Sequence, residues 1–298
     1  MVRPANFGYN EETADSNAFQ VNDTSRTQQQ IKEQAIREFD AFVAKLRSKG
    51  INVYVAEDAP IPHTPDAVFP NNWITFHENG DIITYPMFAS ARRNEIDERH
   101  INMLAEKFEI KQRIRLEHYV EKELFLEGTG SLIFDHPNQL VYACLSPRTH
   151  HELLQEFCEI TGYKLVAFES VDQNGQQIYH TNVMMAMGET FVVICLDTIA
   201  NANELKQLTT TFERTNKEII GISLDQMMAF AGNMLQVRND AGDTFLVMSE
   251  QAFKSLSQAQ IEQIEQHTQI LYSPIETIET YGGGSARCMM AEVFLPLK

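Results

Sequence analysis

The sequence predicts an α/β fold in which one ββαβ unit recurs along the chain, and three observations carry that expectation. Short apolar segments and amphipathic helical stretches follow one another in the same order several times, polar residues open successive units at a nearly constant interval, and no Pro- or Ser-rich linker interrupts the series. Asn72, Glu127, His180, Asn233 and Cys288 mark that interval, separated by 55, 53, 53 and 55 residues. Units that each bury one face against a neighbour imply a closed ring of five, with first strands around a pseudo-fivefold axis and helices outside. A single domain over residues 1–298 follows from the unbroken series.

Each element has its own signal. An N-terminal helix from Thr27 to Lys49 leads to the strand "INVYVAE". "AVFPNNWITFH" and "DIITYPMF" read as a strand pair before a helix from Arg93 to Phe108, where Ile96, His100, Met103, Leu104 and Phe108 recur at helical spacing. "GSLIFDH" and "LVYACLS", split by "HPNQ", precede a helix from Thr149 to Thr161 and the strand "KLVAFES". "NVMMAMG" and "TFVVICL" precede a helix from Asn203 to Asn216 and "EIIGISL". "NMLQVRN" and "TFLVMSE", split by "DAGD", precede a helix from Ser257 to His267 and "QILYSPI". The closing run "CMMAEVFLP" reads as a last strand with no helix behind it, so the two ends of the chain are expected to complete the fifth unit together.

Bulk properties narrow the function. With 24 basic and 41 acidic residues the formal charge is −17, which opposes binding to nucleic-acid backbones and anionic lipid. No apolar run approaches the ~18 residues a spanning helix needs, and the N-terminus lacks the order of a signal peptide. A cytoplasmic protein acting on a small soluble molecule is expected, its oligomeric state left open, a homodimer included. Cys144, Cys158, Cys195 and Cys288 form no C-x-x-C pair and have no histidine at metal spacing, so neither a disulfide framework nor a metal site is indicated. The first three sit in apolar segments and read as buried, inert thiols.

Cys288 differs, because "TYGGGSARCMM" delivers it from three glycines. Alone, a glycine triplet reads as a loop and a histidine before a strand as a hydrogen-bonded core residue. At repeat-equivalent positions, Cys288, His180 and Glu127 supply a thiolate, a proton carrier and an acid that holds a substrate, the residue types that nucleophilic chemistry at carbon requires. Gly282 to Gly284 allow close backbone approach beside the sulfur, and Arg287 places a positive charge next to it.

The motifs "PDAVFPNNW", "LEGTGSLIF", "CLSPRTH", "YHTN" and "GGGSARCM" occur in an order that resembles the pentein, or guanidino-group-modifying, superfamily, and the resemblance spans most of the chain. It implies a five-bladed α/β propeller and a covalent cysteine intermediate without metal or organic cofactor. Cys288 matches the nucleophile, His180 the general acid/base and Glu127 the acidic residue that holds the reacting group. Arg148 and Arg92 match arginines that grip a substrate α-carboxylate, with Arg93 an alternative to Arg92. Asn72, its neighbour Asn71, and Asn182 complete the expected substrate-binding set. Asn72 and Asn182 stand where related deiminases carry aspartates, and an amide neither neutralises a cation nor repels a carbonyl. On that ground the expected reaction is hydrolysis of the ureido group of citrulline to ornithine, ammonia and carbon dioxide. The alternatives are a guanidino hydrolase acting on arginine or dimethylarginine and a non-catalytic binding protein of the same fold.

Overall fold

The computed structural model describes residues 1–14 and 17–298. Their contacts divide into two compact units, Met1–Thr129 with Ile275–Lys298, and Gly130–Pro274. Among the described residues no helix is long and apolar enough to cross a membrane.

The first unit holds a two-stranded parallel ladder, β1 (Val2–Arg3) on β2 (Ala56–Glu57), and one three-stranded sheet, β3 (Ile74–Phe76), β4 (Asp81–Thr84) and β5 (Gln112–Arg115). Strands β3 and β4 form an antiparallel hairpin, whereas β4 and β5 run parallel. A parallel neighbour needs a crossover, supplied here by the helix Glu98–Ala105, which Asp97 caps. The helix Gln28–Ser48 begins at a capping box, with the Thr27 side chain accepting from Gln30 N and the Gln30 side chain from Thr27 N. Its Ile31, Ala35, Phe39, Phe42, Val43 and Leu46 form one buried stripe at helical spacing. Around β3 the core gathers Trp73, Ile74, Phe76, Ile82, Met87, Ile101, Leu104 and Phe108, joined by Leu295 from the far end of the chain.

The second unit repeats the hairpin-plus-parallel sheet three times: β6 (Ile133–Asp135), β7 (Leu140–Leu145) and β8 (Lys164–Glu169); β9 (Met185–Met187), β10 (Phe191–Ile194) and β11 (Glu218–Gly221); β12 (Leu235–Arg238), β13 (Thr244–Ser249) and β14 (Gln269–Ser273). The crossovers are the helices His151–Thr161, Ala202–Arg214 and, after a shorter helix Glu250–Ser255, Gln258–Glu265. Strand β9 lies beside both β6 and β12, so first strands neighbour one another within this unit. The middle strands are buried on both faces, Val141 to Cys144 and Phe191 to Cys195 being fully enclosed, which is why they read as continuous apolar runs. Burial pushes the Cys144 thiol up to about 12 and the Cys195 thiol up to about 11, keeping both protonated and inert.

All four expected ββαβ units are thus present; three crossover helices lie within two residues of expectation, while the one expected from Arg93 to Phe108 is confined to Glu98–Ala105. The fifth unit departs from expectation. Of "INVYVAE" only Ala56–Glu57 pairs, and "CMMAEVFLP" is not a strand. Cys288, Met289 and Met290 instead donate to Ser285, Ala286 and Arg287, three consecutive turn bonds, and beyond them the backbone bonds are Glu109 N to Pro296 O and Lys298 N to Lys107 O, at the bridge of Leu297 with Phe108. Met289, Met290 and Leu295 are buried in this segment. Burial alone makes a short run apolar, and periodicity cannot tell such a turn from a strand.

Candidate active site

Each polar residue of the repeat series stands at a tight turn ahead of a first strand or, for Cys288, within one. Asn72 closes the single turn Pro70–Asn72, Glu127 precedes the turn Gly128–Ser131, and His180 precedes Thr181–Met184. All five are buried. These one-turn helices carry no amphipathic period, so periodicity did not announce them.

In the first unit, Gly282 to Gly284 act by close approach. A Cβ on Gly282 or Gly284 would stand 2.8 or 2.9 Å from the Phe69 ring, and Gly283, at φ +61°, lies against Asn17, whose Nδ2 donates to its carbonyl at 3.2 Å. Phe69 leads directly into Asn71 and Asn72, so the loop that carries Cys288 is packed on the segment that carries both asparagines. The helix Glu276–Gly282 ahead of that loop is held at its N-terminus by the buried Glu38, which accepts from Thr277 N and Ile278 N at 3.1 Å each. Ser285 Oγ donates to Glu279 at 2.6 Å, fixing the loop from within.

Glu127 is brought to the same place by Gly128. A Cβ there would fall 2.2 Å from the Asn71 carbonyl oxygen, and Thr129 Oγ1 donates to that oxygen at 3.3 Å. Glu127 Oε1 accepts from Phe88 N at 2.9 Å. Arg93 braces this segment, donating to the Met87 and Phe88 carbonyls with its guanidinium over the Phe125 ring.

Arg92 is buried in a polar cluster. It donates to both Glu95 oxygens at 2.8 and 2.9 Å, to Asn72 Oδ1 at 2.9 Å and to Phe69 O at 3.3 Å, with Asp66 at 3.8 Å. A substrate carboxylate at Arg92 would therefore share a guanidinium already committed to protein groups. Burial opposes its charge, but Glu95, Asp66 and Glu127 outweigh that and raise its pKa. Burial pushes the Glu95 carboxyl up to about 7, Arg92 pulling it down while Asp66 and Glu127 add to the rise. Three buried carboxyl groups thus stand near this guanidinium. Beside them neither amide atom of Asn71, nor Asn72 Nδ2, has a hydrogen-bond partner among the described residues. Orphaned buried amides are costly, which makes these atoms candidates for contact with a ligand.

Arg287, expected to bias the thiol, directs its guanidinium to Met290 O and Glu292, both at 2.9 Å, so that Glu292 offsets its charge.

The second unit holds Arg148, His180 and Asn182, all buried. Arg148 lies over the Tyr179 ring at 4.8 Å, and the Tyr179 and His180 rings are 4.8 Å apart. Arg148 is no solvated surface arginine; a cation enclosed on an aromatic face suits an anionic partner. Thr181 Oγ1 donates to Ser131 O at 2.6 Å and accepts from Cys144 N at 2.9 Å, pinning the turn that follows His180.

Sequence reading passed over Asp66 and Glu95. Glu95 lies three residues after Arg92, the spacing at which opposite charges pair on a helical turn, and that signal was available; Asp66 is fixed by Asn10 Nδ2 at 2.7 Å, a contact across 56 residues that no local pattern reports.

A family model described as N,N dimethylarginine dimethylhydrolase, eukaryotic, matches residues 3–295. No curated protein matches the chain closely enough to count as a relative. Among solved structures, apo ArgZ, an arginine dihydrolase from the ornithine-ammonia cycle in Cyanobacteria, superposes with a TM-score of 0.76 at 16% identity over 100% of this chain. This chain covers only 40% of that protein's length, but 98% of the N-terminal domain of ArgZ bound to product, at a TM-score of 0.75. A dimethylarginine dimethylaminohydrolase carrying an adduct with S-methyl-L-thiocitrulline superposes with a TM-score of 0.63 at 13% identity, covering 97% of this chain and 96% of that one. At such identities the likeness establishes a shared α/β fold.

Proposed function

Because the chain belongs to the N,N-dimethylarginine dimethylhydrolase family of the pentein superfamily, a group of hydrolases acting on carbon–nitrogen bonds, we propose that it hydrolyses the guanidino group of an arginine-type free amino acid. The observation that carries this reading is the family match over residues 3–295, and the buried carboxyl groups of Asp66, Glu95 and Glu127 near Arg92 accord with it. A desolvated site lined by carboxyl groups suits a cation, and a guanidinium is a planar cation with N–H groups for those oxygens. The shared fold with an arginine dihydrolase and a dimethylarginine dimethylaminohydrolase supports it.

This replaces citrulline as the first choice. The expectation of a neutral substrate counted the amides of Asn72 and Asn182 but not the buried carboxyl groups of Asp66 and Glu95. In the proposed reaction the Cys288 thiolate forms a bond to the guanidino carbon, His180 protonates the departing amine as its C–N bond breaks, and Glu127 accepts guanidino N–H bonds. Water then adds to the S-linked carbon, the C–S bond breaks, and a ureido product leaves with the thiolate restored. Arg148 holds the α-carboxylate, while Asn71, Asn72 and Asn182 bind the reacting group. One observation favours a second reading: the Asn71 amide offers a donor and an acceptor together, which matches the carbonyl and N–H of a ureido group, so citrulline is the competing substrate. The accompanying fold reading is a single-domain five-bladed propeller, supported by the four ββαβ sheets, with the chain ends supplying the fifth blade.

A turnover screen of arginine, dimethylarginine and citrulline, with citrulline, ornithine, ammonia and dimethylamine quantified, tests it. The expected result is a higher kcat/KM for a guanidino substrate than for citrulline; turnover of citrulline alone overturns it.

A further inference from the structure

Four members of the repeat series, Asn72, Glu127, His180 and Cys288, enter the proposed chemistry. Asn233, the fifth, does not, although it is as buried as they are. Its Nδ2 donates to the Asn182 carbonyl at 3.0 Å. That carbonyl belongs to the one-turn helix Thr181–Met184, too short to satisfy its own last acceptors. The turn that presents Asn233 is unusual. Phe230 takes a left-handed conformation at φ +63° and accepts from Asn233 N at 2.9 Å. A Cβ on Gly232 would fall 2.2 Å from Val183 O and 2.9 Å from Met184. The backbone at 232 is thus pressed on residues 183 and 184 while the side chain at 233 grips 182. On the other side of the histidine, Ser146 Oγ donates to the Tyr179 carbonyl at 2.8 Å. The main chain flanking His180 is held on both sides by side chains from different repeats.

From this geometry we infer that Asn233, seated by Gly232, is a positioning residue that sets the orientation of His180 and Asn182. It acts through the Asn182 carbonyl. The role deepens the hydrolase reading and rests on it for its effect on turnover, but the positioning itself is observable without a reaction.

The test compares the full chain with Asn233→Ala and with Asn233→Asp, which keeps the shape but lacks the donor, using protein shown to be folded by thermal melting. Asn233→Asp carries the test if the alanine variant does not fold. With the best substrate of the screen, kcat is expected to fall about tenfold or more with KM within about twofold. Alkylation of Cys288 by iodoacetamide is expected to keep its wild-type rate, and the His180 imidazole titration followed by NMR, assigned with His180→Gln, to move by about half a pH unit or more. A lower melting temperature with kcat and the His180 titration both unchanged assigns Asn233 to packing alone and overturns the inference. If wild type turns over no guanidino or ureido compound, the hydrolase reading fails, while the His180 titration still decides this one.

Discussion

The second unit is regular and the first is not. Residues 130–274 repeat one ββαβ sheet three times, whereas the first unit contains one such sheet, a two-residue parallel ladder and a C-terminal stretch held by turns. The irregular unit holds Cys288, the orphaned amides of Asn71 and Asn72 and the buried carboxyl groups of Asp66, Glu95 and Glu127; the regular one holds Arg148, and His180 ahead of a clamped turn. Where a strand ladder satisfies backbone groups, side chains are free to pack, and the sequence shows it as apolar runs. Where turns replace the ladder, side chains such as Glu38, Arg92 and Glu127 take over backbone satisfaction, which is why this unit buries so many polar groups.

The contrast is tested most severely by the cysteines. Cys288→Ala is expected to lower turnover by more than ~1000-fold with little change in melting temperature, since the covalent route is lost. Cys144→Ser, in the buried strand β7, and Cys195→Ser, buried directly after β10, are expected to lower stability while the folded fraction keeps its turnover per molecule. Paired thermal melts and active-site titration check both, and a trapped adduct should map to the peptide containing Cys288.

Next come the two arginines. Arg148→Ala is expected to raise KM for a carboxylate-bearing substrate by about 30-fold, the equivalent of ~2 kcal/mol of charge-assisted bonding, and to leave agmatine, which has no carboxylate, nearly unaffected. Arg92→Ala leaves Glu95 and Asp66 buried without their cation, so its main effect should be destabilisation by about 3–5 kcal/mol in urea unfolding. Equal KM effects from both would erase the distinction between a substrate clamp and an internal ion cluster.

The smallest effect concerns pH. Glu95 has a folded pKa raised to about 7 from 4.5, so the folded state holds its proton after the unfolded state has lost it. Its contribution to stability is full below about pH 4.5 and is lost as pH rises through about 7. Glu95→Gln is expected to flatten the decline in unfolding free energy between pH 5 and pH 8 by about 1–3 kcal/mol, measured by urea titration at each pH. An unchanged slope would mean that Arg92 holds this carboxyl ionised throughout.

Most of the second unit was legible because its strands and helices obey a period. The helix Gln28–Ser48 was legible for the same reason, and its capping box is written in Thr27 and Gln30. The fifth unit was not: "CMMAEVFLP" is apolar because Met289, Met290 and Leu295 are enclosed, and enclosure leaves the same trace in a turn as in a strand. At the candidate site, residue types at equivalent positions pointed to Cys288, His180 and Glu127, while Asp66 and Glu95 were passed over. Those two gain their meaning only when folding sets them beside Arg92. The roles of Gly128 and Gly232 likewise depend on contacts with residues 71 and 183, far along the chain.

The first unit is assembled from two stretches, Met1–Thr129 and Ile275–Lys298, with the whole of Gly130–Pro274 between them in the chain. During synthesis, Asp66, Arg92, Glu95 and Glu127 emerge long before Cys288. A ribosome-bound chain at that stage holds the acidic cluster without this thiol, and Phe69 has no glycine loop to pack against until residues 282–284 appear. The proposed nucleophile follows the other proposed site residues in the chain, so a chain released before residue 288 has no thiol to set against the Asn71–Asn72 segment.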